Sequence, residues 1–456
     1  MAIILRARKN LTVNPLKLSP PLGGATAFMG MAGAVPLLHG GQGCTAFAKV
    51  LQVRHFREPS PIQTTAMDEI TTILGGLDNL EQGCLAVFRR NAPRVIGVCT
   101  TGLTETRGED LAGDLKRIKE RNPELAGVEL IGASTPDYTG SLETGWALAV
   151  TAVIEALAGP CVRRQANRVN ILAGSHLTPG DIEEVRDLVE AFGLEATILP
   201  DLSGSLDGHV PERHMGTSYG GVTVEQVRAM GTAIFTLALG EQMRGPARAL
   251  EAKTGIPWAM IDRLTGLGAV DALVTRLQDL SGRPAPTGVR RRRSQLADAM
   301  LDGHFQFAGL PVALAAEPDL LFALASVLAE MGASVVAAIA PYESPVLARL
   351  PVEEVVIGDL DDLENRAQEK GAALLVSRSH AAPAAQRLGV PLFRAGFPIL
   401  DRLGAQHVCS VGYRGTRDLI YAIGNLMLGQ VHEARPDDWP LPGFQGETPH
   451  AQAAAH

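Results

Sequence analysis

From Arg94 to Phe393 the chain repeats one pattern, a short apolar run, a turn, and then a longer stretch with helical spacing. Strands joined through helices return to the same end of a sheet and so pair in parallel, which makes this alternation the signature of an α/β fold. The first set has strands at Val95 to Cys99 and Val128 to Ile131, with helices over Glu105 to about Asn122 and over Ser141 to Ala158. After a basic joint at Arg163 to Arg168 come strand Val169 to Leu172, helix Pro179 to Phe192, strand Ala196 to Leu199, helix Val224 to Met230, strand Ala233 to Ala238 and helix Glu241 to Thr254. Gly282, Pro284, Pro286 and Gly288 mark a second boundary, beyond which Arg290 to Arg293 open a long helix running to about Asp302. The third set follows, with strands at Val312 to Ala315, Val335 to Ile339, near Val355, at Ala373 to Ser377 and at Leu392 to Phe393, and helices Asp319 to Met331 and Ala382 to Leu388. Residues Lys17 to Gly43 are rich in Gly, Ala and Pro without a clear period, and turns with short packed pieces are expected there. The reading is three doubly wound, Rossmann-like modules over 1–165, 166–285 and 286–410, with 411–456 as a C-terminal helix and tail packing back on the first module or on a partner.

Composition narrows the function classes. With 41 Lys and Arg against 49 Asp and Glu, the formal net charge of −8 repels a phosphate backbone, so nucleic acid is not an expected partner. The apolar stretch Trp146 to Val162 is interrupted by Glu155, Gly159 and Pro160, and the four-residue apolar start precedes its basic residues, so neither a membrane span nor a secretory signal is expected and the location is read as cytoplasmic. No GxGxxG follows a strand, and no GxxxxGK[ST], GxSxG or HExxH occurs, which removes the local signatures of dinucleotide binding, ATP hydrolysis, acyl transfer and zinc proteolysis. The isolated histidines His176, His214, His304 and His380 read as surface or satisfied core residues, and the arginine run as a solvated or ion-paired helix face.

The chemistry-bearing segment is His39-Gly40-Gly41-Gln42-Gly43-Cys44. Glycines on both sides of Gln42 permit positive φ and close approach to a bulky group, and backbone N–H groups there can face an anionic sulfur cluster. One thiolate cannot hold an iron–sulfur cluster, which usually takes four, so a ligand role for Cys44 requires thiolates from elsewhere. The other cysteines, Cys84, Cys99, Cys161 and Cys409, are widely spaced without a CxxC and read as structural. Cys44 as a buried turn cysteine is the alternative.

Three groups of segments carry a family resemblance. One runs from Lys17-Leu-Ser-Pro-Pro-Leu-Gly-Gly through Gly43-Cys44, His55-Phe-Arg-Glu-Pro59, Thr64-Thr-Ala-Met67 and Gly75-Gly-Leu-Asp-Asn-Leu80. The second is Cys99-Thr-Thr-Gly102 with Glu105, Gly108 and Asp110, followed by Thr135-Pro-Asp-Tyr138 and Gly145-Trp146. The third is Gly396-Phe-Pro-Ile-Leu-Asp-Arg-Leu-Gly404 with Val411-Gly-Tyr-Arg-Gly-Thr416. Together they resemble the nitrogenase component 1 superfamily, and within it the β-like subunits of the scaffold on which the iron–molybdenum cofactor is assembled.

The resemblance implies the nitrogenase component 1 type of fold and a subunit without independent catalysis. In the similar β subunit of the iron–molybdenum protein, the double cluster takes cysteines at three places. Here the first is Cys44, the second falls at about Ile62 and the third is Gly102. What is then implied is a simpler 4Fe-4S cluster shared with a NifE-like α subunit, held by Cys44 and three cysteines of that subunit, with Gly41, Gly43 and Gly102 leaving room and offering backbone donors. The assembly would be an α2β2 heterotetramer in which the partner carries the cofactor precursor and the ATP-hydrolysing nitrogenase iron protein docks transiently. The alternatives are a catalytic subunit of a nitrogenase-like oxidoreductase, against whose dinitrogen-reducing form Ile62 and Gly102 count, and a three-domain small-ligand binding protein.

Overall fold

The computed structural model describes residues 1–6, 12–161, 163–213 and 215–430; His214 and the tail after Gln430 lie outside them. Three wholly parallel sheets carry the fold. The first is ordered Gln63–Thr64, Ala34–His39, Val95–Thr100, Glu129–Ala133, and the second Glu195–Leu199, Arg168–Leu172, Phe235–Leu239, Trp258–Ile261. The third has six strands, Ile3–Arg6, Glu354–Ile357, Ser334–Ala340, Pro311–Ala315, Leu374–Ser377, Leu392–Arg394. Ile3–Arg6 thus pairs with Glu354–Ile357 at the far edge of the third sheet, away from the sheet its own sequence neighbours build. Apart from that edge strand, each sheet starts in its middle, grows to one side, and then returns to grow on the other, which is double winding.

Most expected elements are present within a residue or two of their predicted bounds, and the differences have physical causes. Lys17 to Gly43 is not a run of turns. It holds the helix Pro20–Met29, buried at all ten positions, and the strand Ala34–His39, buried at all six. A helix covered on every side has no polar face, and so no period to read. The single helix expected over Glu105 to Asn122 is two, Gly102–Arg107 and Leu111–Arg121: Gly108 leaves the first at φ +72°, and the Asp110 side chain caps the second by accepting from the Gly113 N–H at 3.1 Å. The long basic helix is Thr287–Phe307. Of its arginine run, Arg293 pairs bidentately with Asp271 at 2.8 and 2.7 Å and Arg292 lies 3.8 Å from Glu184.

Helix Pro20–Met29 wedges between the first sheet and helix Leu142–Leu157. A Cβ on Gly97 of the sheet would lie 2.2 Å from Phe28, so the glycine is what lets that ring seat. Trp146, 1% exposed, donates from Nε1 to the Ala173 carbonyl at 2.9 Å and ties the first set of elements to the second. Helix Gly412–Leu428 lies chiefly against Thr287–Phe307, with further contacts to Pro179–Ala191 and Leu267–Ser281. Among the described residues, no helix is long and apolar enough to cross a membrane.

Candidate functional site

In the first sheet the chain passes from Ala34–His39 to Gln63–Thr64 on one side, then back across to Val95–Thr100 and on to Glu129–Ala133. The two adjacent strands from which the connections diverge leave a crevice at their carboxyl ends, the usual ligand position in a doubly wound sheet. His39-Gly40-Gly41 and Thr101-Gly102 form its rims, and the helices Gln42–Phe56 and Gly102–Arg107 start there.

Cys44 is the third residue of Gln42–Phe56 and is exposed. That helix buries Thr45, Ala48, Gln52, His55 and Phe56, and Gln52 Nε2 donates to Thr26 Oγ1 at 2.5 Å. Its opposite face presents Cys44, Phe47, Val50 and Val53 to solvent, with Phe47 76% exposed, and Ile70, Ile73 and Leu103 are exposed on neighbouring elements. A row of apolar side chains at helical spacing, left uncovered, is the mark of a face that another chain covers.

The rims are held by buried polar contacts. Thr101 Oγ1 donates to the His39 carbonyl at 2.9 Å, and a Cβ on Gly40 would lie 2.5 Å from that same Oγ1, which is why residue 40 has no side chain. The His39 ring, 1% exposed, contacts Thr65 Oγ1 through Nδ1 at 3.0 Å and Glu109 Oε2 through Nε2 at 2.9 Å. Burial lowers the His39 pKa, against the opposing pull of Glu109. Glu109 Oε1 accepts from the Gly76 N–H at 3.0 Å, so Gly76, Thr65, His39 and Glu109 form one connected network behind the crevice. Across the crevice, Asp137 Oδ2 accepts from the Gly102 N–H at 3.0 Å, and Lys17 Nζ donates to the Asp137 carbonyl at 3.0 Å. Partial burial and then the Asp137 charge push the Cys44 thiol pKa up.

The residues singled out from sequence therefore fall together, though not all as expected. Gly41 is the N-cap at φ −71°, an ordinary extended value, and Gly43 lies within the helix, so neither uses positive φ. What they supply is space: a Cβ on Gly43 would have nothing within 4 Å, and one on Gly41 only the Met67 carbonyl at 3.8 Å. The Gly102 N–H, expected as a free donor, is taken by Asp137. Ile62 is fully buried. Cys84 and Cys99 are also fully buried, burial pushing the Cys84 thiol up to about 12, while Cys409 is half-buried and Cys161 exposed. No group of three or more metal-ligating side chains occurs among the described residues. His39 and Asp137 stand within segments the sequence points to, but neither they nor Glu109 is given a role there. A histidine before a glycine pair, an acid directly after Gly108 and an acid directly after Pro136 are the traces they leave there.

These features define a three-sheet α/β protein with one exposed thiol at a switch-point crevice, beside an uncovered apolar helix face. Residues 19–428 match the family described as nitrogenase component 1 type oxidoreductase, and the chain belongs to that family. It is similar to the nitrogenase iron-molybdenum cofactor biosynthesis protein NifN of Bradyrhizobium diazoefficiens, 49% identical over 460 residues that cover 99% of this chain and 98% of that protein. It is likewise similar to NifN of Rhizobium meliloti, 53% identical over 440 residues, 96% of this chain and 99% of that one. The solved structure of nitrogenase Cp1 at pH 6.5 superposes with a TM-score of 0.90 at 29% identity, over 95% of this chain and 97% of that chain.

Proposed function

We propose that this chain is the β-like subunit of a heteromeric scaffold for building the nitrogenase iron–molybdenum cofactor, contributing Cys44 to a 4Fe-4S cluster shared with a NifE-like α subunit. The similarity to NifN proteins over nearly the whole chain supports the scaffold role. The observation that carries the cluster reading is the position of Cys44, an exposed thiol at the edge of an uncovered apolar helix face.

The donor set fits a shared cluster and not a self-contained one. One exposed thiol at this crevice, an open first turn at Gly41 and Gly43, and no group of three or more metal-ligating side chains among the described residues suit a group whose remaining ligands come from across an interface. Bound there, such a cluster would supply one-electron transfer. The raised thiol pKa means that the free chain holds Cys44 protonated, and ligation to iron would displace that proton. Asp137, held by Gly102 and Lys17, fixes the opposite rim, and Phe47, Val50 and Val53 would exclude water once the partner covers them. In this reading the partner holds the precursor during maturation, the assembly is α2β2, and the iron protein docks transiently to deliver electrons.

Anaerobic iron analysis and low-temperature EPR on the co-expressed assembly, wild type against Cys44→Ala with the assembly shown to stay intact, test this. Loss or alteration of the 4Fe-4S signal is expected. An unchanged iron count and spectrum would return Cys44 to a structural role.

A further inference from the structure

The second and third sheets also have switch points, and these face each other. In the second, the connections diverge between Arg168–Leu172 and Phe235–Leu239; in the third, between Pro311–Ala315 and Leu374–Ser377. The residues that follow these strands, Ser175 and His176 from the second sheet with Glu317 and Arg378 from the third, line one cavity of about 190 Å³. Its walls are largely apolar, with Leu18, Phe56, Trp146, Leu320, Phe397 and Leu419 among them. Two further segments converge on it: His55-Phe56, at the far end of the helix that carries Cys44, and Gly396 to Leu403. Leu403 lines the cavity and is 83% exposed, so its mouth lies there.

The polar end of the cavity is incompletely satisfied. Arg378 is 5% exposed; one of its Nη atoms donates to the Pro15 carbonyl, but its Nε has no partner. Glu317 Oε1 accepts from Ser141 Oγ at 2.5 Å, while Oε2 is shut off from solvent without a partner, as is His176 Nδ1. Arg378 and Glu317 feel each other's charge, yet they form no ion pair within 4 Å among the described residues. A buried guanidinium without a carboxylate in contact, and a carboxyl with one idle oxygen, are costly unless a third group joins them. Burial holds Glu317 towards its neutral form, its pKa pushed up to about 7, so it can offer an O–H to the same cavity that Arg378 lines.

We propose that this cavity binds a small carboxylic acid with an apolar body, the carboxylate seated between Arg378 and Glu317 and the carbon chain running along Phe56, Trp146 and Leu320 towards the mouth. A carboxylate supplies the missing counter-charge and accepts both donors, and the walls suit hydrocarbon better than a fully hydrated oxyanion. The site is separate from Cys44, and its test does not depend on iron.

The test is calorimetric titration of the purified assembly, after stripping of resident acids and their identification by mass spectrometry, with hexanoate, 1-hexanol and inorganic phosphate as probes. Hexanoate should bind saturably at one per chain, more tightly than either other probe. Arg378→Gln should weaken it by at least about tenfold, the scale of one lost charge-assisted contact, while Glu317→Gln, which keeps a donor, should retain it. Where Arg378→Gln fails to fold, Leu403→Glu at the exposed mouth replaces it, and should weaken hexanoate binding without changing that of hexanol. Equal binding of hexanoate and hexanol, phosphate binding as tight as hexanoate, hexanoate binding undiminished in Arg378→Gln or its substitute Leu403→Glu, or no binding to the stripped protein would overturn the proposal.

Discussion

Replacing Gly145 with alanine separates packing from propensity. Gly145 lies in the first turns of helix Leu142–Leu157, where alanine is intrinsically better than glycine by about 1 kcal/mol. Here a Cβ would meet the Pro20 carbonyl oxygen at 1.9 Å and its carbon at 2.5 Å, and the reciprocal Gly23 would meet the Leu142 oxygen at 1.8 Å. Both obstacles are backbone, so no side chain can rotate away, and the helices must part by about 1 Å. A gap of that size forfeits about a quarter to a half of the dispersion energy across the contact. Overpacking of this kind costs about 1–3 kcal/mol, and since Pro20–Met29 is buried throughout, the upper end applies and, less the propensity gain, leaves a net loss of about 2 kcal/mol. For 456 residues the unfolding entropy is about 1 kcal/mol/K, so the melting temperature should fall by about 2 °C. Gly83→Ala is the control: it lies within helix Leu77–Asn91 and its Cβ would meet Thr65 at an ordinary 3.4 Å, so it should gain about 0.5–1 kcal/mol. Scanning calorimetry and urea titration of both variants would refute the reasoning if Gly145→Ala proved as stable as Gly83→Ala.

Three further outcomes follow. His55 is buried, accepts the Ile399 N–H at 2.9 Å, and has its pKa pushed by burial from 6.5 to about 4. Its neutral form is the native one, so its contribution is present above pH 6.5 and lost as pH falls towards 4; between pH 7 and 5 the loss should be about 2 kcal/mol, and His55→Asn should flatten the stability profile by that much. A parallel profile in the variant would contradict this. Phe47→Asp should leave the chain's own melting temperature unchanged, because the ring is already 76% exposed, while weakening assembly with the partner by at least tenfold, about the value of burying one large apolar side chain; size-exclusion chromatography of the co-expressed pair decides it. Iodoacetamide followed by peptide mass spectrometry should label Cys44 and Cys161 in the free native chain, spare Cys84 and Cys99 until denaturation, and lose the Cys44 label in the assembly. A Cys44 equally reactive in both would place the interface elsewhere.

What could be read in advance depended on whether the information was local. Strands such as Val95–Thr100 and helices such as Pro179–Ala191 announce themselves through runs, periods and caps within a few residues. Helix Pro20–Met29 does not, because burial on all sides erases the period, and Ile3–Arg6 gives no hint that its pairing partner is more than three hundred residues away. The same division runs through the site. Cys44 is legible because glycines flank it within three residues, and a Cβ on Gly41 or Gly43 would meet at most the Met67 carbonyl of this chain. Gly102 has no free N–H because Asp137, thirty-five residues on, accepts from it, and the His39–Glu109 contact spans seventy. Both contacts join loops at the carboxyl ends of neighbouring strands, positions that only the sheet order brings together. The same logic accounts for Arg378 and Glu317, each unremarkable in its own segment, which follow adjacent strands of the third sheet and reach one cavity with an unpartnered atom each. Double winding thus creates one crevice per sheet. In the first it opens outward onto an uncovered apolar helix with a thiol at its rim, whereas in the second and third the crevices close on each other around unpaired polar groups. An outward crevice suits a group shared with a second chain, and an enclosed one suits a ligand held by this chain alone.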